Sequence, residues 1–266
     1  MSIFDELVIV DGQVTNFYQL FELVRYLDQG TQGSVYLIRD KKSSKQYAMK
    51  LTTERADREI RFLQKLKHPM TVQYYTDFVL PPGSVSMKIS EEYRWIFSFS
   101  PDVPVYVLIL EYLDGQPLYK IVSYSHDEIV SIAKSLIDYV ILMDELGIND
   151  VDFCQPCNFM KCTDGTYRKF DLGQCYEISE GKNWMANPSI RTKDIQEKYR
   201  ICNLIQFGDL IECLYSNGYH QPACRCWTND VPLSESVTDP LIREMLTGIF
   251  RSENRLTAHE VRAMLA

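Results

Sequence analysis

Two glycines three residues apart, Gly30 and Gly33, lie in the stretch Leu27-Asp-Gln-Gly30-Thr-Gln-Gly33-Ser-Val35. Lacking Cβ atoms, they let backbone amides approach a phosphate closely; a tight β-hairpin turn with no ligand asks for the same residue type. Further on, Tyr47-Ala48-Met49-Lys50 reads as a strand, so Ala48 and Lys50 share one face of it. Glu59 stands four residues before Leu63 and seven before Leu66, so on a helix its carboxylate points with the apolar side. A carboxylate desolvated there needs a cation, and Lys50 is the obvious one. In the second half, Phe170-Asp171-Leu172-Gly173 follows the strand-like Tyr167–Phe170. Asp-Leu-Gly by itself is a commonplace turn, and its meaning depends on what surrounds it.

The elements that must position these residues change character along the chain. Phe21–Leu27, Ser34–Arg39 and Gln46–Leu51 read as three strands, separated by the glycine turn and by the polar run Asp40–Lys45. Residues Glu54 to Lys67 read as a helix, with Ala56, Ile60 and Leu63 at helical spacing. Two further strands, Thr71–Leu80 and Val105–Tyr112, flank an irregular insertion, Pro81 to Pro104, expected to be a surface excursion. After Gly115 the pattern is helical. Ser125-His-Asp-Glu128 fits a capping box, Ile129, Ile132, Leu136, Val140 and Met143 make an apolar stripe, and Gly147 is a natural stop. Gln196–Tyr215 reads as a largely buried helix, and Thr257-Ala-His-Glu260 caps a short last one. Strands with one helix, then a linker near Leu113–Gly115, then mostly helices predict an α+β protein of two lobes with a cleft between them.

The totals narrow the function. With 266 residues and 45% hydrophobic content the chain can bury a sizeable core. A formal charge of -8 removes the electrostatic drive for generic nucleic-acid binding. The N-terminus Met1-Ser2-Ile3-Phe4-Asp5-Glu6 carries acids where a signal peptide carries bases, and Val103–Leu110 is too short to span a bilayer. These features predict an intracellular, cytoplasmic protein with no membrane partner. All eight cysteines follow residue 150. Cys154-x-x-Cys157 and Cys224-x-Cys226 invite a zinc reading but lack paired zinc-module spacing, so reduced thiols are expected.

Taken in order and spacing, these segments resemble the eukaryotic-type protein kinase family from about Leu23 to the C-terminus. The resemblance divides the chain into an N-terminal extension (1–22) and a kinase-like domain (23–266), with a β-rich N-lobe (23–112) and a mainly helical C-lobe (113–266). It matches the glycine-rich loop, with Asp28 at the first glycine position, and the family's Val-Ala-Ile-Lys strand at Tyr47–Lys50. The resemblance implies that Gly30, Gly33 and Val35 cover a nucleotide and that Ala48 leaves room for adenine. Lys50, fixed by Glu59, would hold the α/β-phosphates. Leu108-Ile-Leu110-Glu111-Tyr112-Leu113 resembles the strand running into the hinge. Leu110 would line the back of the adenine pocket, Glu111 and Leu113 would offer backbone groups to its edge, and Met160 joins them as a pocket residue.

The catalytic segment Asn149-Asp150-Val151-Asp152-Phe153-Cys154-Gln155-Pro156-Cys157-Asn158 resembles His-Arg-Asp-x-x-x-x-Asn but is altered. Asp150 and Val151 replace the histidine and arginine, and the spacing from Asp152 to Asn158 is one residue longer. Asp152 would accept the proton of the acceptor hydroxyl; Asn158 and Asp171 would bind Mg²⁺. Leu172 stands for the phenylalanine of Asp-Phe-Gly. Asn203 replaces the family's central-helix aspartate, and it is expected to donate to Asp150, where two acids would repel. Arg255-Leu-Thr257 resembles the family's Arg-x-Thr, whereas Met185-Ala-Asn-Pro188 lacks its glutamate partner. The implied function is ATP- and Mg²⁺-dependent transfer of the γ-phosphoryl group to a protein hydroxyl, serine or threonine on base rates. The alternative is a pseudokinase that binds proteins as a scaffold.

Overall fold

The alternation of apolar and polar residues between 21 and 52 becomes a meander of three antiparallel strands in the computed structural model. It describes residues 9–10, 13–14, 16–30, 33–52, 56–80, 103–177, 179, 195–216, 232–251 and 254–266. The insertion at 81–102, the Met185–Pro188 segment and the Cys224/Cys226 pair lie outside them. The chain divides into two units, 1–64 with 72–113, and 65–71 with 114–266.

In the first unit a short helix, α1 (Phe17–Leu20), leads into β1 (Phe21–Gly30), β2 (Gly33–Asp40) and β3 (Gln46–Thr52). Helix α2 (Asp57–Lys65) follows, then β4 (Tyr74–Leu80) and β5 (Val105–Glu111). The five strands are antiparallel in the order β1-β2-β3-β5-β4. Period-two alternation gives this sheet two distinct faces. One carries Tyr36, Ile38, Tyr47, Met49, Leu51, Val105, Val107 and Ile109, and Phe17, Phe21 and Phe78 pack against it. The register Val35↔Lys50↔Leu108 and Leu37↔Ala48↔Leu110 sets those six residues on the other face. On the three inner strands that face sets the Lys50 ammonium among these apolar side chains, while Asp28, Arg25 and Asp77 share it on the outer strands, opposite Val35, Leu37 and Leu108.

In the second unit β6 (Gly115–Pro117) precedes α3 (His126–Glu145), whose start has the capping box expected at Ser125 and Glu128. The helix buries Ile129, Ile132, Leu136, Val140 and Met143. It ends at Leu146, and Gly147 takes the left-handed conformation (φ 63°) that terminates a helix at little cost. Strand β7 (Ile148–Asp150), β8 (Phe159–Cys162), β9 (Tyr167–Lys169) and β10 (Cys175–Glu177) form two small antiparallel sheets, β9-β8-β6 and β10-β7. Helix α4 (Ile195–Tyr215) is buried on all sides from Cys202 to Leu214. Helix α5 (Pro240–Phe250) is absent from the sequence reading although its signals are present. Asp239 caps it by accepting from the Ile242 amide, Pro240 opens it, and Ile242, Met245, Leu246 and Ile249 form its buried stripe. Helix α6 (Ala258–Leu265) begins with the second capping box, Thr257 with Glu260. No described helix is long and apolar enough to cross a membrane.

Candidate functional site

The first group of residues is assembled by the five-stranded sheet. Lys50 Nζ lies 2.7 and 2.9 Å from the two carboxylate oxygens of Glu59, both side chains nearly excluded from solvent. Helix α2 supplies Glu59 from the side that also buries Phe62 and Leu63. Val35 and Leu108 flank Lys50 in register on the two neighbouring strands, and Leu37 and Leu110 flank Ala48 in the same way. The structure thus brings Val35, Ala48, Lys50, Glu59 and Leu110 into one neighbourhood.

The glycines need less of a ligand than their spacing suggests. Gly30 and Gly33 face each other where β1 meets β2. A Cβ on Gly33 would be driven into the Leu51 carbonyl oxygen and would lie 2.9 Å from Leu51 C. The backbone of β3 alone therefore requires glycine at 33. Asp28 sits within β1, where its carboxylate accepts from the Gln29 amide. At the end of β5 the Glu111 amide donates to Gln73 O at 2.8 Å, while its carboxylate accepts from the Gln73 amide at 3.0 Å. Leu113 ends this unit, half-buried.

The second group lies wholly in the other unit. Asn158 is the hub: its Nδ2 donates to Asp152 O at 3.3 Å, and its own carbonyl accepts from the Phe170 amide at 3.0 Å, one residue before Asp171. Asp152, Asn158 and Asp171 are thereby stitched together across a stretch of chain. Between Asp152 and Asn158 the chain makes a single 3₁₀ turn, Pro156–Asn158, with the Asn158 amide donating to Gln155 O. Asp171 adopts left-handed backbone (φ 59°), uncommon for a residue with a side chain, and its carboxylate accepts from the Gly173 amide at 3.3 Å. Leu172 beside it is fully buried. Met160 stands on β8, paired with Arg168 and Pro117, partly exposed.

Electrostatically this group carries excess negative charge. Burial raises the Asp152 carboxyl above its ordinary range; Asp150 and Asp171 push it the same way and Lys169 opposes. Among the described residues no three His, Cys, Asp or Glu side chains make a metal cage by themselves. Mg²⁺ does not require one, since it binds through one or two protein oxygens and completes its shell with water and phosphate. One carboxylate and one amide oxygen in an electronegative setting fit that habit. Cys154 and Cys157 form no disulfide.

Two partnerships differ from expectation. Asn203 does not donate to Asp150. Its Nδ2 donates to Asp144 Oδ1 (2.8 Å) and Ile148 O (2.9 Å), and its Oδ1 accepts from Asn149 Nδ2 (2.8 Å). Tyr176 then donates to Asn149 Oδ1 at 2.7 Å. Asp150 instead meets Lys169, Nζ to Oδ2 at 2.9 Å, with both side chains completely buried. The family resemblance set Asn203 opposite Asp150; the alternation Tyr167-Arg-Lys169 on β9 points to a lysine instead, because it turns Lys169 inward with Tyr167.

No protein-family model matches the sequence, and no curated protein matches it. Among solved structures, the autoinhibited serine kinase domain of the giant muscle protein titin is similar, with a TM-score of 0.67. The match has 16% identity and covers 94% of this chain and 81% of that one. The likeness establishes the fold: a protein kinase-like arrangement, with a β-sheet N-terminal region and a helical C-terminal region.

Proposed function

We propose that the chain is an ATP- and Mg²⁺-dependent protein kinase that transfers the γ-phosphoryl group to a protein hydroxyl. The observation that carries this reading is the buried Lys50–Glu59 pair, with Val35 and Leu108 flanking Lys50 in register. A fixed ammonium beside a small residue, Ala48, suits a flat base followed by phosphates, and the kinase-like fold gives the pair a role. Lys50 binds the α/β-phosphates and Glu59 fixes its direction. Val35, Ala48 and Leu110 would contact the adenine, Gly30 and Gly33 would shape the loop, and Glu111 and Leu113 would supply backbone groups. Asp171 and Asn158 would hold Mg²⁺, which would supply positive charge to neutralise the phosphates. Asp152 orients the acceptor hydroxyl and takes its proton. Its raised proton affinity suits that task, because a base must hold the proton it removes. Serine or threonine is the proposed acceptor, as in the titin serine kinase domain.

A second reading, a nucleotide-binding pseudokinase that serves as a scaffold, is favoured by Asp28, a carboxylate on the strand leading into the glycine turn. The two readings part in one experiment. Thermal shift with Mg²⁺-ATP is followed by phosphate transfer to a generic basic protein, with Asp152→Asn as control. The kinase reading expects a rise in Tm and transfer abolished by Asp152→Asn. A shift without transfer selects the scaffold. Transfer that survives Asp152→Asn contradicts the proposed base, and no shift removes both the ATP and the Mg²⁺ proposals.

A further inference from the structure

Asp150 and Lys169 are the least economical residues in the second unit. Both are completely buried, and a buried ion pair is commonly no more stabilising than two apolar side chains of the same volume. Their contact is close, at 2.9 Å between Nζ and Oδ2. Lys169 is enclosed on its other sides: its amide donates to Met70 O, its backbone bridges Thr71, and Nζ stands 5.1 Å from the centre of the Phe159 ring.

The two oxygens of Asp150 have separate partners. Oδ2 faces Lys169, and Oδ1 accepts from the backbone amide of Asp152 at 3.1 Å. We propose that Asp150 is a positioning residue for Asp152, and that Lys169 is the counter-charge that allows a carboxylate to be buried there. Resting on the kinase reading, the assignment gives the altered catalytic segment a purpose: the acid at 150 answers the lysine at 169. Because Lys169 lies two residues before Asp171 and Phe170 donates to Asn158 O, the ion pair is a second tie between the Asp152 loop and the Asp171 segment.

Two double variants, neither burying a lone charge, test it. Lys169→Met with Asp150→Asn keeps an oxygen that can accept the Asp152 amide; Lys169→Met with Asp150→Leu removes it. The expected result is nearly equal Tm for the two. The Asn double keeps kcat within about threefold of wild type, while the Leu double loses about 10- to 100-fold in kcat with KM for ATP unchanged, the scale of a misplaced catalytic group. The Asp152 amide, followed by hydrogen exchange, should exchange about tenfold faster in the Leu double alone. If the Leu double does not unfold cooperatively, Asp150→Ala with Lys169→Met takes its place. Equal exchange in the two doubles overturns the assignment, and so does equal kcat at equal Tm. A wild-type protein that transfers no phosphate defeats the kinase reading, while the exchange comparison still decides the role of the pair.

Discussion

Replacing Lys50 by methionine deprives Glu59, whose side chain is only 5% exposed, of the ammonium at 2.7 Å. The gross attraction at that distance is about 6 kcal/mol at an effective dielectric constant of ~20. Much of it offsets the desolvation of two charges, and removing one partner of a buried pair costs about 3–5 kcal/mol. At an unfolding entropy of about 2.1 cal/mol/K per residue, 266 residues give ~0.56 kcal/mol/K, and the loss becomes a fall in Tm of about 5–9 °C. Exchanging both residues, Lys50→Met with Glu59→Leu, removes the stranded carboxylate and should recover most of that fall. The assay is a double-mutant cycle by thermal and urea unfolding without nucleotide, with a coupling energy of at least about 2 kcal/mol expected. A single Lys50→Met that costs under ~1 kcal/mol, with coupling under ~0.5 kcal/mol, would refute the argument that Glu59 depends on Lys50.

Other perturbations test the scaffold around the site. Gly33→Ala should destabilise the ligand-free protein by about 1–3 kcal/mol, because the β3 backbone at Leu51 cannot withdraw. Wild-type stability in urea would show that the close approach is not what demands glycine. The Asp144 carboxyl is pushed up to about 7 by burial, which outweighs the Asn203 amide donating to it and the charge of Arg200. A folded value above the unfolded one adds stability that is complete below about pH 4 and lost as the pH rises through about 7, at most ~4 kcal/mol. Asp144→Asn should flatten that slope in a Tm–pH series and raise Tm at pH 8; an unchanged slope would contradict it.

Much of the fold was legible because its signals are local. The strands β1 to β3 show alternation, and α3 shows an N-cap, a stripe and a terminating glycine in sequence order. Helix α5 carries comparable signals in the cap Asp239, the opening Pro240 and the stripe Ile242, Met245, Leu246 and Ile249. The pairing of Lys50 with Glu59 could be argued from burial, since a helix stripe tells which way a carboxylate points. The partners of Asp150 and Asn203 could not. Choosing between Lys169, Asp144 and Asn149 depends on how β7, β9 and α4 pack, and that is a matter of long-range packing rather than spacing. Gly33 illustrates the converse: its residue type was plain, but its cause, the approach of β3, lies in the sheet.

Isothermal titration of ATP with and without Mg²⁺, on wild type and Asp171→Asn, measures the central proposal most directly. With Asp171 as a Mg²⁺ ligand shared with the phosphates, the metal should tighten wild-type ATP binding about tenfold or more and tighten the variant less than about threefold. Equal affinity with and without Mg²⁺, or an equal metal effect in both proteins, would contradict it.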